Sequence, residues 1–416
     1  MSSTASPSNT KFDLFDHDLA DPYPYYDHLR STAPVFWEPA LRLWVLTRYE
    51  DVRAVLYDET ADPIDIASSI AVLGRKTKRD FGALIKLVEA ILFFQRGERH
   101  KRDRRSLGRV LTRIPLSELE PIIDAIAGSL AAELAARERF DFAREYAEMV
   151  PALVISHILG LPATDARPLV ELSADLTRAF DAVPISLFTK LNRQAAAGID
   201  RLVERITQAV AEKRNDGLTL IHEEVVQSEK ADLEEAAALA FFAFIVAMET
   251  TSALIASCVY RLLRDPDLYR SARENPALAE PIVAEVTRLE CPVQRVVRIA
   301  RRAASIGGQE IKEGDRILLL LGAANRDPAA FARSQELDAS RGEVENVAFG
   351  GGKHFCLGTS LARLEARVAL GHILRMPHAL CLAGPQNWYA AKTIRRITSL
   401  PVQRAGAGES QPNDGK

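Results

Sequence analysis

The residues best suited to chemistry lie in one short segment, Phe349-Gly-Gly-Gly-Lys-His-Phe-Cys-Leu-Gly358. Its glycines deliver Cys356 to the start of a stretch in which Leu361, Leu364 and Val368 share one helical face. A sulfur placed there meets free N–H groups and the positive end of a helix dipole. Both stabilise a thiolate and lower the thiol pKa. Glycines also let the backbone approach a flat ligand and aim N–H groups at the sulfur. Such a sulfur suits a metal, and the hydrogen bonds it receives set how much electron density it donates. Two plainer readings compete. A lone cysteine is usually a small buried hydrophobe, and a glycine-rich loop before a helix is more often a phosphate cradle. The cradle lacks its signature here, since Lys353 is followed by His354 and not by Ser or Thr.

A second reactive pair sits inside an apolar stretch. Residues 236–263 are almost uncharged, yet Glu249 lies near their centre, followed by Thr250, Thr251 and Ser252. The stretch is long enough to span a bilayer. A carboxylate at mid-depth is costly in lipid, so a buried helix of a soluble protein is expected. An acid beside an alcohol can pass protons. Thr250 can also bond back to the carbonyl of Val246, which bends a helix. Taken alone, a salt-bridged Glu249 and a satisfied core hydroxyl at Thr250 are the commoner outcomes.

The elements that must position these groups are mostly helical. Residues 117–137 read as an amphipathic helix opened by a Ser117–Glu120 capping box, and residues 198–215 as another. A long helix starts at Asp232, with Glu235 completing its box, and stops at Asp265-Pro266. Hairpins are expected at 35–47 and 305–311, with a further strand from Arg316. The fold class is therefore mostly α with small β-sheets. A length of 416 residues suggests two or three domains. No linker, repeat or low-complexity tract divides the chain, so a single domain over 12–403 is expected, with disordered tails at 1–11 and 404–416. A net charge of -3 gives no bulk attraction to nucleic acid or anionic lipid. Four cysteines without a CxxC pair argue against a disulfide framework or a zinc site. The first residues show no signal peptide, and the cytoplasm is the expected compartment.

The cysteine segment resembles the haem-binding loop of cytochromes P450, F-x-x-G-x-x-x-C-x-G, with Phe349, Gly352, Cys356 and Gly358 in its fixed positions. The resemblance runs from about residue 21 to 402. It implies the fold of that family, with haem b between the I and L helices and Cys356 as the iron ligand. Glu285 and Arg288 resemble the E-x-x-R pair that braces the proximal side. His100, Arg104, Arg298 and His354 resemble cations that bind the haem propionates. Val246-Ala-Met-Glu-Thr-Thr251 resembles the oxygen-activating motif, with Glu249 as acid and Thr250 as alcohol.

Two departures stand out. Val246-Ala247 replace the family's small-Gly pair and are expected to tighten the oxygen pocket. Alignment of the following meander puts Glu336 where the family has an arginine, so the bracing network should be rewired. The implied activity is a monooxygenase acting with O2, with electrons from a ferredoxin and its ferredoxin reductase. Lys101, Arg102 and Arg105, with Arg109, are candidates to meet the ferredoxin. Substrate contacts are expected from the loop 64–94 and from Phe242, Val246, Val293, Val297 and Ile394. These positions imply an apolar substrate, with a terpenoid slightly favoured and a role in secondary metabolism. The alternatives are a peroxygenase, an electron-independent isomerase or dehydratase, and a non-catalytic haem-thiolate sensor or helper.

Overall fold

A computed structural model of the chain describes residues 21–181, 184–228, 230–342, 344–389 and 391–406. The expected N-terminal tail and most of the C-terminal one lie outside the described residues. Arg404 is an exception: it belongs to a strand and not to a tail.

The apolar stretch forms one central helix, Leu233–Leu263, and nearly every side chain between Ala236 and Ile245 is buried in the main core. That helix is long and apolar enough to cross a membrane, but most of it is buried inside the protein itself. Asp232 caps it by accepting from the Glu235 N–H. The reciprocal half of the capping box is replaced, because the Glu235 carboxylate pairs instead with Arg102 and Arg99. Asp265 then caps the next helix, Pro266–Glu274, which confirms the expected stop.

Packed on the central helix are Met149–Leu159, Ile185–Ala211, Ala279–Glu290 and Thr359–Leu374. The second of these corrects an expectation. The helix starts thirteen residues before Gly198, and its buried face runs unbroken through Leu191, Ala195, Ile199 and Leu202. Gly198 is no boundary: a Cβ there would come 2.0 Å from Cε1 of Phe241, so glycine permits the close crossing. The Ser117 capping box is likewise absent. The helix Leu116–Ala135 begins one residue earlier, after Pro115, and leaves Ser117 inside its first turn.

The strands are short: β1 Val35–Glu38, β2 Leu43–Leu46, β3 Ala61–Pro63, β4 Arg139–Asp141, β5 Arg295–Ala300, β6 Ala304–Ile306, β7 Gln309–Ile311, β8 Arg316–Leu320, β9 Leu380–Leu382, β10 Asn387–Trp388, β11 Ile397–Ser399 and β12 Pro401–Arg404. Five form a sheet in the order β1-β2-β8-β5-β3, in which only β2 and β8 run parallel. Both expected hairpins form, β1–β2 and β6–β7. Trp37 faces Trp44 across the first, edge to face with ring centroids 5.6 Å apart.

Glu285 and Arg288 lock the helix Ala279–Glu290 onto the chain that follows the sheet. Arg288 grips both Glu285 oxygens at 2.7 and 2.9 Å and donates to the carbonyls of Asn325 and Ser334. The third partner is Arg341, whose Nε lies 2.8 Å from Glu285 Oε1. Glu336 contributes only its backbone carbonyl to Arg288. The network is therefore not rewired around a carboxylate; an arginine five residues further on completes it. Burial pushes the Glu285 carboxyl up, but bonds from Arg288 and Arg341 outweigh it and hold the group below its ordinary value of 4.5. A depressed carboxylate stabilises the fold above that value and loses this contribution as pH falls through the folded pKa. Arg288→Ala strands a buried carboxylate and should cost about 3–5 kcal/mol. A denaturant titration at neutral pH reads this, and a midpoint within error of wild type would remove the brace from the stability account.

Candidate active site

A cavity of about 450 Å³ opens between the central helix, the sheet edge and the loop before Thr359–Leu374. Cys356, Gly358, Phe349, Glu249 and Thr250 all line it, so two segments a hundred residues apart in sequence face the same space.

The cysteine loop is held by its own backbone. Cys356 N–H donates to the Phe349 carbonyl and Phe355 N–H to that of Gly352, each at 3.0 Å. Gly352 is required: its φ is +59°, and a Cβ would meet the Leu56 carbonyl at 2.7 Å. At Gly358 a Cβ would find no protein atom within 4 Å, although the residue lines the cavity. The Phe349 ring lies under the Arg363 guanidinium. Cys356 is exposed as a residue because it faces the cavity, yet the protein packed around its sulfur pushes the thiol up. The Gly358 N–H, the Thr359 hydroxyl and Arg104 pull it down without prevailing. The expected lowering thus does not arise from the loop alone; a cation on the sulfur would supply it.

The four expected cations converge. His100, Arg104, Arg298 and His354 all line the cavity, and the two imidazoles lie 4.4 Å apart, tilted by 39°. Arg104 Nη2 donates to the Phe355 carbonyl, Arg298 Nη1 to that of Val297, and His354 Nε2 lies 3.1 Å from the Gln95 carbonyl. His100 Nε2 is buried without a hydrogen-bond partner among the described residues. Burial lowers Arg298 to about 10, with Asp62 a weaker opposing influence. Burial, then the charge of Arg104, lowers His100. Burial lowers His354 as well, to about 4, so the two arginines are the standing cations and the imidazoles neutral donors. Among the described residues no carboxylate pairs with these four groups, and a ligand bearing two carboxylates would fit them. The residues present therefore fit a haem: a sulfur ligand, an open flat approach at Gly358 and donors for propionates.

On the opposite wall, Thr250 Oγ1 donates to the Val246 carbonyl at 2.8 Å, the back-bond expected from sequence. Its lone pairs remain for the cavity, and the helix stays continuous through this turn. Glu249 is 1% exposed. Burial raises its carboxyl to about 7, against the opposing pull of Arg396 and the Thr177 hydroxyl. Arg396 Nη2 lies 3.7 Å from Glu249 Oε1, and its Nη1 lies 3.3 Å from Glu148. Thr177 is in turn 3.2 Å from the Tyr389 hydroxyl. A group poised near neutrality at the edge of a cavity can hold or release a proton there. Sequence reading missed Thr177 and Arg396. The adjacent Arg395 and Arg396, set between Ile394 and Ile397, were the available signal for Arg396.

Phe242, Val246, Val293, Val297 and Ile394 line the cavity as expected, as do Ile64, Ile66 and Leu84 to Phe94 in part. Ala247 lines it beside Val246. The basic helix Gly97–Thr112 needs one correction. Arg102 is largely buried and bound to Asp103 and Glu235, so it is no surface contact. Lys101, Arg105 and Arg109 are exposed, the first beside Glu98 and the others beside Glu224.

Residues 42–376 match the family model described as Cytochrome P450. The chain is 32% identical over 402 residues to the vitamin D(3) 25-hydroxylase of Pseudonocardia autotrophica, covering 94% of this chain and 96% of that protein. It is 30% identical over 397 residues to the epothilone C/D epoxidase of Sorangium cellulosum, covering 92% of each. Among solved structures it is similar to P450BioI in complex with an acyl carrier protein ligated to hexadec-9Z-enoic acid. That match has a TM-score of 0.82 at 29% identity, over 92% of this chain and 98% of that one.

Proposed function

The chain belongs to the cytochrome P450 family, as a haem-dependent monooxygenase, and on that premise we propose that it inserts one oxygen atom of O2 into an apolar small molecule. The proposal takes haem b as the cofactor, a ferredoxin served by a ferredoxin reductase as electron source, and the cytoplasm as compartment. It takes one catalytic domain, carried to residue 404 by the strand Pro401–Arg404. One observation carries it: Cys356, the cluster of two arginines and two histidines, and the Glu249–Thr250 pair all open on one chamber whose remaining walls are largely apolar.

A haem-thiolate, when bound, supplies the activation of dioxygen and the transfer of one oxygen atom to carbon. The chain's own residues do the rest. Cys356 holds the iron. His100, Arg104, Arg298 and His354 hold the propionates, and Phe349, Gly352 and Gly358 shape the loop beneath. Phe242, Val246, Val293, Val297 and Ile394 exclude water and orient an apolar substrate. Relatives named for vitamin D(3) and epothilone are consistent with large apolar substrates, and a terpenoid remains among the candidates. Glu249 brings protons to the cavity and Thr250 passes them on. That pair supports reductive O2 chemistry over the peroxygenase, isomerase and sensor readings. Lys101, Arg105 and Arg109, exposed on the helix whose Arg104 bonds to the Phe355 carbonyl, form the docking face for an acidic ferredoxin.

The test is turnover of an apolar compound panel with a surrogate ferredoxin system under heavy-isotope dioxygen. One labelled oxygen atom in a product is expected. Products labelled only from water or from added peroxide would exclude the monooxygenase reading.

A further inference from the structure

Most polar residues on the cavity wall have a task in the proposed chemistry, but Arg295 does not. It projects from β5, its side chain is 13% exposed, and it lines the cavity. Its Nη2 donates to Asp181 Oδ1 at 2.7 Å. Asp181 is saturated from three sides, since the Thr393 hydroxyl at 2.8 Å and the Lys392 N–H at 2.7 Å also donate to it. The pair is thus fixed and close to neutral. Arg295 Nη1 has no hydrogen-bond partner among the described residues. Arg295 thus keeps two N–H donors open at the lining of a largely apolar chamber, and an apolar substrate that displaces water from them leaves them unmet at a cost unless it offers an acceptor.

We propose that Arg295 Nη1 is a specificity anchor that binds a neutral oxygen acceptor on the substrate, such as a ketone, ester or alcohol oxygen. A carboxylate is the wrong partner, because Asp181 already supplies the negative charge and would repel a second. The class implied is an apolar skeleton that carries a neutral oxygen. This deepens the monooxygenase reading and rests on it.

The probes are 4-phenylbutan-2-one, butylbenzene, which lacks only the ketone oxygen, and 4-phenylbutanoate. Binding to the haem-loaded full chain is read by calorimetry. Arg295→Leu and Arg295→Lys should each weaken the ketone about tenfold and leave butylbenzene unchanged. Lysine keeps a charge for Asp181 but not the second nitrogen, so it separates recognition from folding. Asp181→Asn unmasks the cation and should tighten 4-phenylbutanoate about tenfold relative to the ketone. Ketone affinity equal in wild type and both Arg295 variants overturns the proposal. So does absence of ketone binding to wild type up to its solubility limit. The carbon monoxide spectrum of the same samples is the separate check on the haem reading. A normal spectrum with no ketone discrimination rejects the anchor alone.

Discussion

The reduced wild-type protein should show a red-shifted Soret band with carbon monoxide, and Cys356→Ala should abolish it. The effect should be complete, because no other cysteine can take its place. Cys258 is buried in the central helix, Cys291 ends the helix Ala279–Glu290, and Cys381 lies in β9. None of the three lines the cavity. Burial also pushes the Cys291 thiol up to about 12, far from a ready thiolate. Folding should survive, since the loop is tied by the Cys356 N–H to Phe349 carbonyl bond, which alanine keeps. Haem binding should weaken without vanishing, because the cationic cluster and the apolar walls are untouched. The informative combination is a normal helical signal and a thermal midpoint near wild type, with the band gone. A variant that retains the band would mean the iron is held elsewhere, and the whole arrangement of the site would fall with it.

Local patterns in the sequence were enough to place the reactive groups. The capping Asp232, the Asp265-Pro266 stop and the unbroken apolar run fixed the central helix to within a residue, since each acts through its immediate neighbours. The cysteine loop was legible for the same reason: its glycines, its backbone bonds and its sulfur fall within ten residues. What escaped depends on distant pieces of chain. Gly198 reads as a boundary by propensity, but it answers to Phe241 on another helix. Arg341 completes the brace because an irregular loop happens to bring it to Glu285, and no residue spacing encodes that. Arg102 reads as surface on a basic helix until Glu235 is seen opposite it. Asp181 and Arg295 lie 114 residues apart and meet only in the folded cavity wall.

Glu249→Gln should slow turnover by about 10²-fold or more, the usual cost of removing a proton donor. The glutamine has the same shape and cannot carry a proton across, so the resting spectrum and substrate binding should stay as they are. The pH dependence gives a sharper test. Burial sets the Glu249 carboxyl at about 7, so the neutral, proton-bearing form dominates below that and is lost above it. Wild-type turnover should therefore fall through pH 7 to 8, and the glutamine variant should lose that limb while remaining slow. Stability must move in the opposite sense to ordinary surface carboxylates. A carboxyl raised on folding contributes fully below its unfolded value of 4.5 and loses that contribution as pH rises through about 7. Glu249→Gln should thus be more stable than wild type at pH 8 and not at pH 4, which no loss of catalysis alone would produce. Thr250→Ala should act downstream. It leaves the carboxyl in place and removes the hydroxyl that bonds to Val246, so substrate binding persists while product per electron falls and peroxide rises. Val246 and Ala247 line the cavity beside this relay. Unchanged rate and coupling in both variants would show that protons reach the cavity by another route, through ordered water or a hydroxyl of the substrate itself.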